Sequence, residues 1–99
     1  MKALSEVEIR KLLAAKLENW SYDGTYLSRI FKFGNFVTAF SFMTSVALIA
    51  EKMDHHPDWN NIYNSVTIKL NTHDAKGVTE LDFDLALAID TAFESYTSV

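Results

Sequence analysis

The sequence predicts an α+β sandwich in which antiparallel strands carry helices on one face, in the order α-β-β-α-β-β-α. Two observations support this fold class. Three segments place apolar residues at helical spacing, and the segments between them alternate apolar and polar residues around short turn signals. The 99 residues fit one domain, 1–99, and no repeat, linker or low-complexity tract divides them.

The first elements are a capped helix and a β-hairpin. Ser5 and Glu8 have the spacing of a capping box, and the apolar residues that follow at helical spacing predict a helix over roughly 5–18. Asp23-Gly24 lies between two strand-like segments and is a typical hairpin turn. The second of these strands has one more apolar face, which is formed by Leu27, Arg29, Phe31 and Phe33.

The central segment, Phe36 to Met53, predicts a helix that is apolar on almost every side. Such a helix must be covered on more than one side, and in a chain of this size the second cover is most simply another subunit. Pro57 disfavours helical geometry at His56, so the helix is expected to end near Asp54 or His55. The longest apolar run, residues 36–50, is fifteen residues long and is interrupted by four polar residues. It falls short of the roughly 20 residues that span a bilayer, which predicts a soluble protein without membrane contact.

The last part of the chain predicts a second hairpin and a third helix. Residues 61–63 and 66–72 indicate two strands joined at Asn64-Ser65, or one longer strand with a kink there. Strand alternation then places His73 on the face opposite the apolar residues. Thr79 and Asp82 have the spacing of a helix cap. The buried stripe of that helix is expected to comprise Leu81, Leu85, Ala88, Ile89, Ala92, Phe93 and Tyr96.

Composition and charge exclude several classes of protein. The chain has no Cys, so disulfides and thiolate metal sites are excluded, and a cytoplasmic location is expected. The net charge is −4, and residues 51–99 hold nine acidic side chains against three basic ones. This acidic half repels phosphate backbones, which argues against direct nucleic-acid binding. The N-terminus shows no apolar run of the kind that a secretory signal has.

All three histidines, His55, His56 and His73, fall within nineteen positions and have acidic neighbours. Imidazole exchanges protons near neutrality, and adjacent carboxylates fix its tautomer. Glu51 lies four residues before His55, so the two are expected to share a helix face. Together with Trp59 as an aromatic wall, the cluster predicts an acid–base pocket for a small polar ring.

Each of these residues also has a structural interpretation. His55 and His56 are compatible with a helix terminus and a surface turn, Trp59 with the core, and Asp82 with a helix cap that also orients an imidazole. A zinc site is a further alternative, because three His and an Asp suffice in number. Adjacent histidines diverge, however, and the sequence has no H-x-H, H-x-x-x-H or H-E-x-x-H spacing.

The segment from Glu51 to Asp82 closely resembles the pterin-4a-carbinolamine dehydratases, a family also described as dimerisation cofactors of a homeodomain transcription factor. The family pattern E-K-x-x-H-H-P, then Y-x-x-V, then T-H-x-x-x-G-[LV]-T-x-x-D, is matched at every position. The resemblance extends over roughly residues 4–96. It implies a four-stranded antiparallel sheet with three helices packed on one face.

The resemblance also implies an activity, the dehydration of 4a-hydroxytetrahydropterin to quinonoid dihydropterin, which recycles the tetrahydrobiopterin cofactor of aromatic amino acid hydroxylases. His55 and His73 would be the acid/base pair, and His56 would mainly bind and orient the substrate. The residues implied to bind or orient the substrate and the imidazoles are Glu51, Asp54, Trp59, Thr72 and Asp82. No redox cofactor or metal is expected, because no electrons are transferred.

A homo-oligomer is the implied assembly, either a dimer through sheet edges or a tetramer through the long helix. The same helix, 36–53, offers an alternative function, that of a non-catalytic, coactivator-like module that binds a helical protein partner. In both cases Phe36, Phe42 and Val46 are the side chains expected to face the partner.

Overall fold

A computed structural model describes residues 1–97. Within that range the helices and strands follow the predicted order α-β-β-α-β-β-α. The helices are α1 (Glu6–Lys16), α2 (Phe36–Met53) and α3 (Glu80–Thr97), and the strands are β1 (Ser21–Tyr22), β2 (Leu27–Lys32), β3 (Asp58–Ile62) and β4 (Ser65–Leu70). The α+β fold class is confirmed.

The four strands form one antiparallel sheet in the order β1-β2-β4-β3. Strand register places Leu27 opposite Leu70 and Phe31 opposite Val66, and all four side chains are buried beneath the helices. On the other face Ile30 is exposed to solvent. Side chains alternate between the two faces of a strand, so one face of the sheet supplies the core, as predicted for β2.

Arg29 lies on the buried face of β2 and is accommodated there by α3. Its Nη1 donates to Oδ1 of Asp90 at 2.8 Å, and the Trp20 indole donates to the same oxygen at 2.9 Å. The guanidinium also lies over the rings of Phe31 and Phe93. A charge on an apolar face is tolerated because it is paired and hydrogen-bonded.

Phe42 of α2 is the centre of an aromatic cluster in the core. It is fully buried. Its ring centroid lies 5.0 to 5.8 Å from those of Phe31, Phe33, Phe93 and Tyr96. The tilted and edge-on geometries are those that aromatic pairs prefer, and burying such a ring stabilises the fold by about 1.5–3 kcal/mol.

The predicted partner-facing side of α2 is only partly right. Phe36 is half exposed, but Phe42 and Val46 are fully buried in the core, so the prediction that these two face a partner is wrong. The stripe Ala39, Phe42, Val46 and Ala50 packs inward at helical spacing. The large apolar side chains that α2 leaves in solvent are Phe36, Val37, Phe40 and Leu48.

By length and composition α2 is apolar enough to cross a membrane, with 18 residues and a mean hydropathy of 1.3. The sequence prediction, which was based on the fifteen-residue run 36–50, underestimated this property. Core helices of globular proteins share it, and the four buried residues of α2 give it the inward stripe of such a helix.

Local signals at the element ends are mostly confirmed. Ser5 Oγ accepts from the Glu8 N–H and the Glu8 carboxylate accepts from the Ser5 N–H, which completes the capping box.

The β3–β4 turn consists of Tyr63 and Asn64 rather than Asn64 and Ser65, and β3 begins at Asp58, before the predicted start. Two strands are therefore present, and the alternative of one kinked strand is wrong.

Candidate active site

A cleft of about 300 Å³ lies where α2 and β4 end. All three histidines border it. The lining residues are Asp54, His55, His56, Asn71, Thr72, His73 and Asp74. The predicted convergence of imidazoles that are distant in the sequence is thus present in the fold.

A reversal of the chain at the end of α2 directs His55 into the protein. Asp54 adopts the left-handed conformation, with φ 53° and ψ 42°. The His55 N–H donates to the Ala50 carbonyl at 3.0 Å and the Asp54 N–H donates to the Glu51 carbonyl at 3.1 Å. These two bonds form a Schellman motif, which satisfies carbonyls at the helix end. His55 leaves the helix surface at this point and is only 9% exposed.

The expected pairing of Glu51 with His55 is therefore wrong. His55 no longer continues the helical face of Glu51, and the Glu51 carboxylate instead lies 2.8 Å from Nε2 of His56. Both side chains of that pair are mostly exposed, at 80% for Glu51 and 59% for His56. Water screens such a pair, so it holds the His56 ring only weakly.

Asp82 is the partner of His55. Its Oδ1 lies 2.5 Å from Nε2 of the imidazole, and the carboxylate is fully buried. Its Oδ2 accepts from the Thr79 N–H at 2.8 Å and from the Thr72 hydroxyl at 2.9 Å. Because Thr79 precedes the first residue of α3, the same carboxylate caps this helix and orients His55.

His73 reaches the cleft from a 3₁₀ turn, His73–Ala75, that follows β4. The Thr72 N–H donates to the Gly77 carbonyl at 2.9 Å, and this bond closes the loop beneath the turn. β4 ends at Leu70 rather than at the predicted residue 72, so strand alternation does not set the direction of His73. The side chain is exposed at the rim of the cleft.

Trp59 does not line this cleft. It is in β3 opposite Ile68 and packs, partly buried, against the core. Asn71 and Asp74, in contrast, do line the cleft and were not among the predicted site residues. Their only sequence signal is that they flank the Thr72-His73 dipeptide, and a polar residue beside a strand end is too common to single out.

Two alternative functional sites, a metal site and a second cleft, are less well supported. Among the described residues, no group of three His, Cys, Asp or Glu side chains is arranged to hold a metal ion. A second cleft of about 290 Å³ is lined by Arg10, Leu13, Ala14, Glu18 and Trp20. It contains no imidazole, so it lacks a group that titrates near neutrality without perturbation.

Comparison with known proteins agrees with the geometry. The family model described as pterin 4 alpha carbinolamine dehydratase matches residues 2–92. The chain belongs to this family. The resemblance of the segment from Glu51 to Asp82 is thereby confirmed.

Relatives from several bacteria are similar over most of their length. A protein of Prochlorococcus marinus (strain MIT 9515), provisionally named a pterin-4-alpha-carbinolamine dehydratase, is 48% identical over 92% of this chain and 94% of the relative. A protein of Mesorhizobium japonicum with the same provisional name is 57% identical over 80% of this chain and 83% of the relative.

Solved structures share the dehydratase-family fold. A transcriptional coactivator/pterin dehydratase from Brucella melitensis matches with a TM-score of 0.86 and 45% identity, over 92% of this chain and 98% of that chain. A pterin dehydratase-like protein described as a RuBisCO assembly factor in the alpha-carboxysome has a TM-score of 0.66 and 23% identity, over 76% and 89% of the two chains. At that identity the second likeness shows the fold alone.

Proposed function

We propose that the protein is a cytoplasmic dehydratase that eliminates water from 4a-hydroxytetrahydropterin and so recycles tetrahydrobiopterin. The observation that carries the proposal is the arrangement of three imidazoles around one cleft, with His55 held by the buried carboxylate of Asp82. Membership of the pterin 4 alpha carbinolamine dehydratase family supports the substrate class.

The elimination requires two proton transfers on one small ring. The bond between C4a and the hydroxyl oxygen breaks, and an acid gives a proton to that oxygen, which leaves as water. A base removes the proton of a ring N–H, and the electron pair of that bond becomes a new ring double bond in quinonoid dihydropterin. No electrons go to an external acceptor, so the proposed reaction requires no redox cofactor. With histidines as acid and base, we propose that it uses no metal.

The environments of the histidines suit different roles. His55 is buried and fixed, as befits a base that must meet one N–H in a defined direction. His73 is exposed at the rim, where it exchanges protons with water and can serve as the acid. His56, loosely held by Glu51, is assigned to binding and orientation.

Polar side chains around the imidazoles support binding of a pterin. Asp54 and Asn71 line the cleft, and a carboxylate and an amide are suited to offer acceptors and donors to the amino-pyrimidine edge of the ring. Thr72 also lines the cleft, while its hydroxyl is directed to Asp82. Although Trp59 does not line the cleft, its role as a wall for the pterin stays a prediction, and an unchanged KM in Trp59→Leu would exclude it.

Single replacement of the two proposed proton carriers tests the function. His55→Gln and His73→Gln are each expected to lower kcat by about 10²–10⁴-fold, measured by stopped-flow loss of a freshly generated carbinolamine. His56→Gln, the matched control, is expected to raise KM more than it lowers kcat. Wild-type protein that does not exceed the uncatalysed rate, or unchanged rates in both variants, would exclude the proposal.

The outer face of α2 supports assembly of the chain with a second copy of itself. Its exposed residues include positions 37, 40, 41, 44, 47 and 48, a spacing close to a heptad pattern. Phe40 is 55% exposed and Leu48 is 69% exposed. A helix face of this kind is stabilised by packing against an equivalent helix, so we include a homo-oligomer, dimer or tetramer, in the proposal.

The same exposed face supports a second candidate function, that of an interaction module for a helical protein partner. The solved Brucella melitensis relative is described as a transcriptional coactivator as well as a pterin dehydratase. The two functions differ in one measurement. An interaction module without catalysis would bind a helical peptide and leave the carbinolamine to decay at its spontaneous rate.

A further inference from the structure

We propose that Thr79 is a positioning residue for His55. Its hydroxyl begins a one-directional series of hydrogen bonds, through Thr72 and Asp82, that keeps the His55 proton on Nε2 and leaves Nδ1 as the base in the cleft. Only the catalytic consequence rests on the proposed function. The tautomer itself is a property of the fold.

Thr79 is outside the cleft but inside the hydrogen-bond network. Its side chain is completely buried and is not among the groups that line the cleft. Its Oγ1 accepts from the Leu81 N–H at 3.2 Å and lies 2.7 Å from Oγ1 of Thr72. A threonine hydroxyl has one hydrogen to donate and two lone pairs to accept with. The direction of the Thr72–Thr79 bond therefore depends on where the Thr72 hydrogen goes.

The Asp82 carboxylate fixes that direction. An ionised carboxylate only accepts, so the Thr72 hydroxyl, 2.9 Å from Oδ2, must give its hydrogen to Asp82. The Thr79 hydroxyl is then the only remaining donor for the contact between the two threonines. The order is that Thr79 donates to Thr72 and Thr72 donates to Asp82.

The same rule assigns the proton of His55. Asp82 Oδ1, 2.5 Å from Nε2, accepts as well, so Nε2 carries the hydrogen in the neutral ring. Within residues 1–97 no hydrogen-bond partner contacts Nδ1, and no buried side-chain polar atom there lacks a partner. Nδ1 is therefore open to the cleft, and its lone pair is the one that receives a substrate proton.

Replacing Thr79 by Val tests the first link of this series. Val retains the branched shape but gives Thr72 no donor. The Thr72 hydroxyl can then rotate away from Asp82 Oδ2, the carboxylate turns more freely, and His55 Nε2 loses a fixed acceptor. We expect a mixture of both neutral tautomers of His55. We also expect kcat to fall about five- to tenfold, the factor that corresponds to one typical hydrogen bond. KM is expected to change less than about twofold, because Thr79 does not contact the cleft.

The experiment is ¹⁵N NMR of histidine-labelled full-length protein, at a pH where the His55 ring is neutral, together with steady-state kinetics. Thr79→Ser, which keeps the donor, is expected to restore both the tautomer and kcat. Thr91→Val is the matched control. It makes the same substitution within α3, at a hydroxyl that, among the described residues, bonds only to the Leu87 carbonyl. Neither the tautomer nor kcat is expected to change there.

Two results would overturn the proposal. One is a wild-type His55 that carries its proton on Nδ1, and the other is Thr79→Val with an unchanged tautomer. If Thr79→Val does not fold, Thr72→Val breaks the same series at its middle and must shift the tautomer in the same direction. A shifted tautomer in a protein whose wild type has no dehydratase activity would reject the proposed function and leave the positioning role intact.

Discussion

His55 and Asp82, 27 positions apart in the sequence, are joined by a contact of 2.5 Å between Nε2 and Oδ1. The contact links the chain reversal after α2 to the first turn of α3, where the same carboxylate accepts from the Thr79 N–H. A residue that caps a helix and orients an imidazole contributes to both stability and chemistry. Changes at Asp82 are therefore expected to affect both.

Asp82→Asn tests this coupling. The amide nitrogen of Asn would present a donor where the imidazole needs an acceptor, which favours the wrong tautomer of His55. We expect kcat for carbinolamine loss to fall by about 10²-fold or more. We also expect the free energy of unfolding in urea to fall by about 1–3 kcal/mol. Asp84→Asn, exposed on the same helix, is the control, and wild-type kcat in Asp82→Asn would contradict the assignment.

Glu51→Gln, unlike Asp82→Asn, is expected to have little effect on kcat. The carboxylate is 80% exposed, and its bond to His56 is open to water. Exposed pairs contribute little, about 0–1 kcal/mol, so we expect KM to change less than about fivefold and kcat to stay near wild type. Steady-state kinetics on the purified variant measures both. A loss of kcat comparable to that of Asp82→Asn would show that the pair matters more than its exposure indicates.

Local sequence patterns, namely helix-capping residues and the alternation of apolar and polar residues, predicted the fold well. Ser5 and Glu8 form the expected capping box, and the alternation around Phe31 identified the buried face of β2. The cap formed by Asp82 at Thr79 was also predictable, because a carboxylate three residues after a threonine has a known helix-start geometry. The contact of Asp82 with His55 agrees with the prediction that this cap also orients an imidazole.

The reversal at Asp54 was not predictable from the sequence. Left-handed residues after a helix are usually Gly, and an Asp in that position gives no comparable signal. Without the reversal, the i, i+4 rule pairs Glu51 with His55. With it, the following residue His56 becomes the neighbour of Glu51. A single backbone conformation thus decides which carboxylate holds which imidazole.

Which face of α2 is buried could not be predicted from the sequence for a different reason. A helix that is apolar on almost every side has little periodic contrast, so Phe40 and Phe42 look equivalent in the sequence. In the fold Phe42 is fully buried and Phe40 is 55% exposed. Only the shape of the surrounding core separates them.

Phe42→Ala is expected to remove the centre of the core. Its ring packs against four other aromatic rings, so its loss leaves a cavity that rigid neighbours cannot fill. We expect the free energy of unfolding to fall by about 3–5 kcal/mol in urea titrations. Ile30→Ala, on the open face of the sheet, is expected to change it by no more than about 0.5 kcal/mol. Equal losses in the two variants would contradict the assignment of the core.

Phe40→Glu tests assembly through α2. A charge in the middle of the exposed apolar stripe cannot be buried against a second helix without a large desolvation cost. We expect light scattering at micromolar concentration to show a smaller assembly than for wild type, with an unchanged far-UV circular dichroism spectrum. Ile30→Glu places the same charge on another exposed apolar residue and is expected to leave the assembly unchanged. A wild-type mass in Phe40→Glu would remove α2 from the interface.

Asp23 predicts a defined pH dependence of stability. Its Oδ1 accepts from the Tyr26 N–H at 2.7 Å and from the Thr25 N–H at 2.8 Å. These backbone hydrogen bonds, that of Tyr26 first, lower the pKa of the Asp23 carboxyl. A lowered folded-state pKa gives stability that is present above the unfolded value, about 3.9, and is lost as the pH falls through the folded value.

We therefore expect Asp23→Ala to reduce the free energy of unfolding at pH 7 by up to about 1 kcal/mol, a small value because the carboxylate is exposed to water. Below about pH 4 the difference from wild type should shrink progressively as the wild-type carboxyl becomes protonated. Asp23→Asn keeps an acceptor in the turn without a titrating group, so it isolates the charge. Urea unfolding at a series of pH values measures all three proteins. A difference between wild type and Asp23→Ala that is the same at pH 7 as in strong acid would mean that the turn is stabilised by shape rather than by the ionised carboxylate.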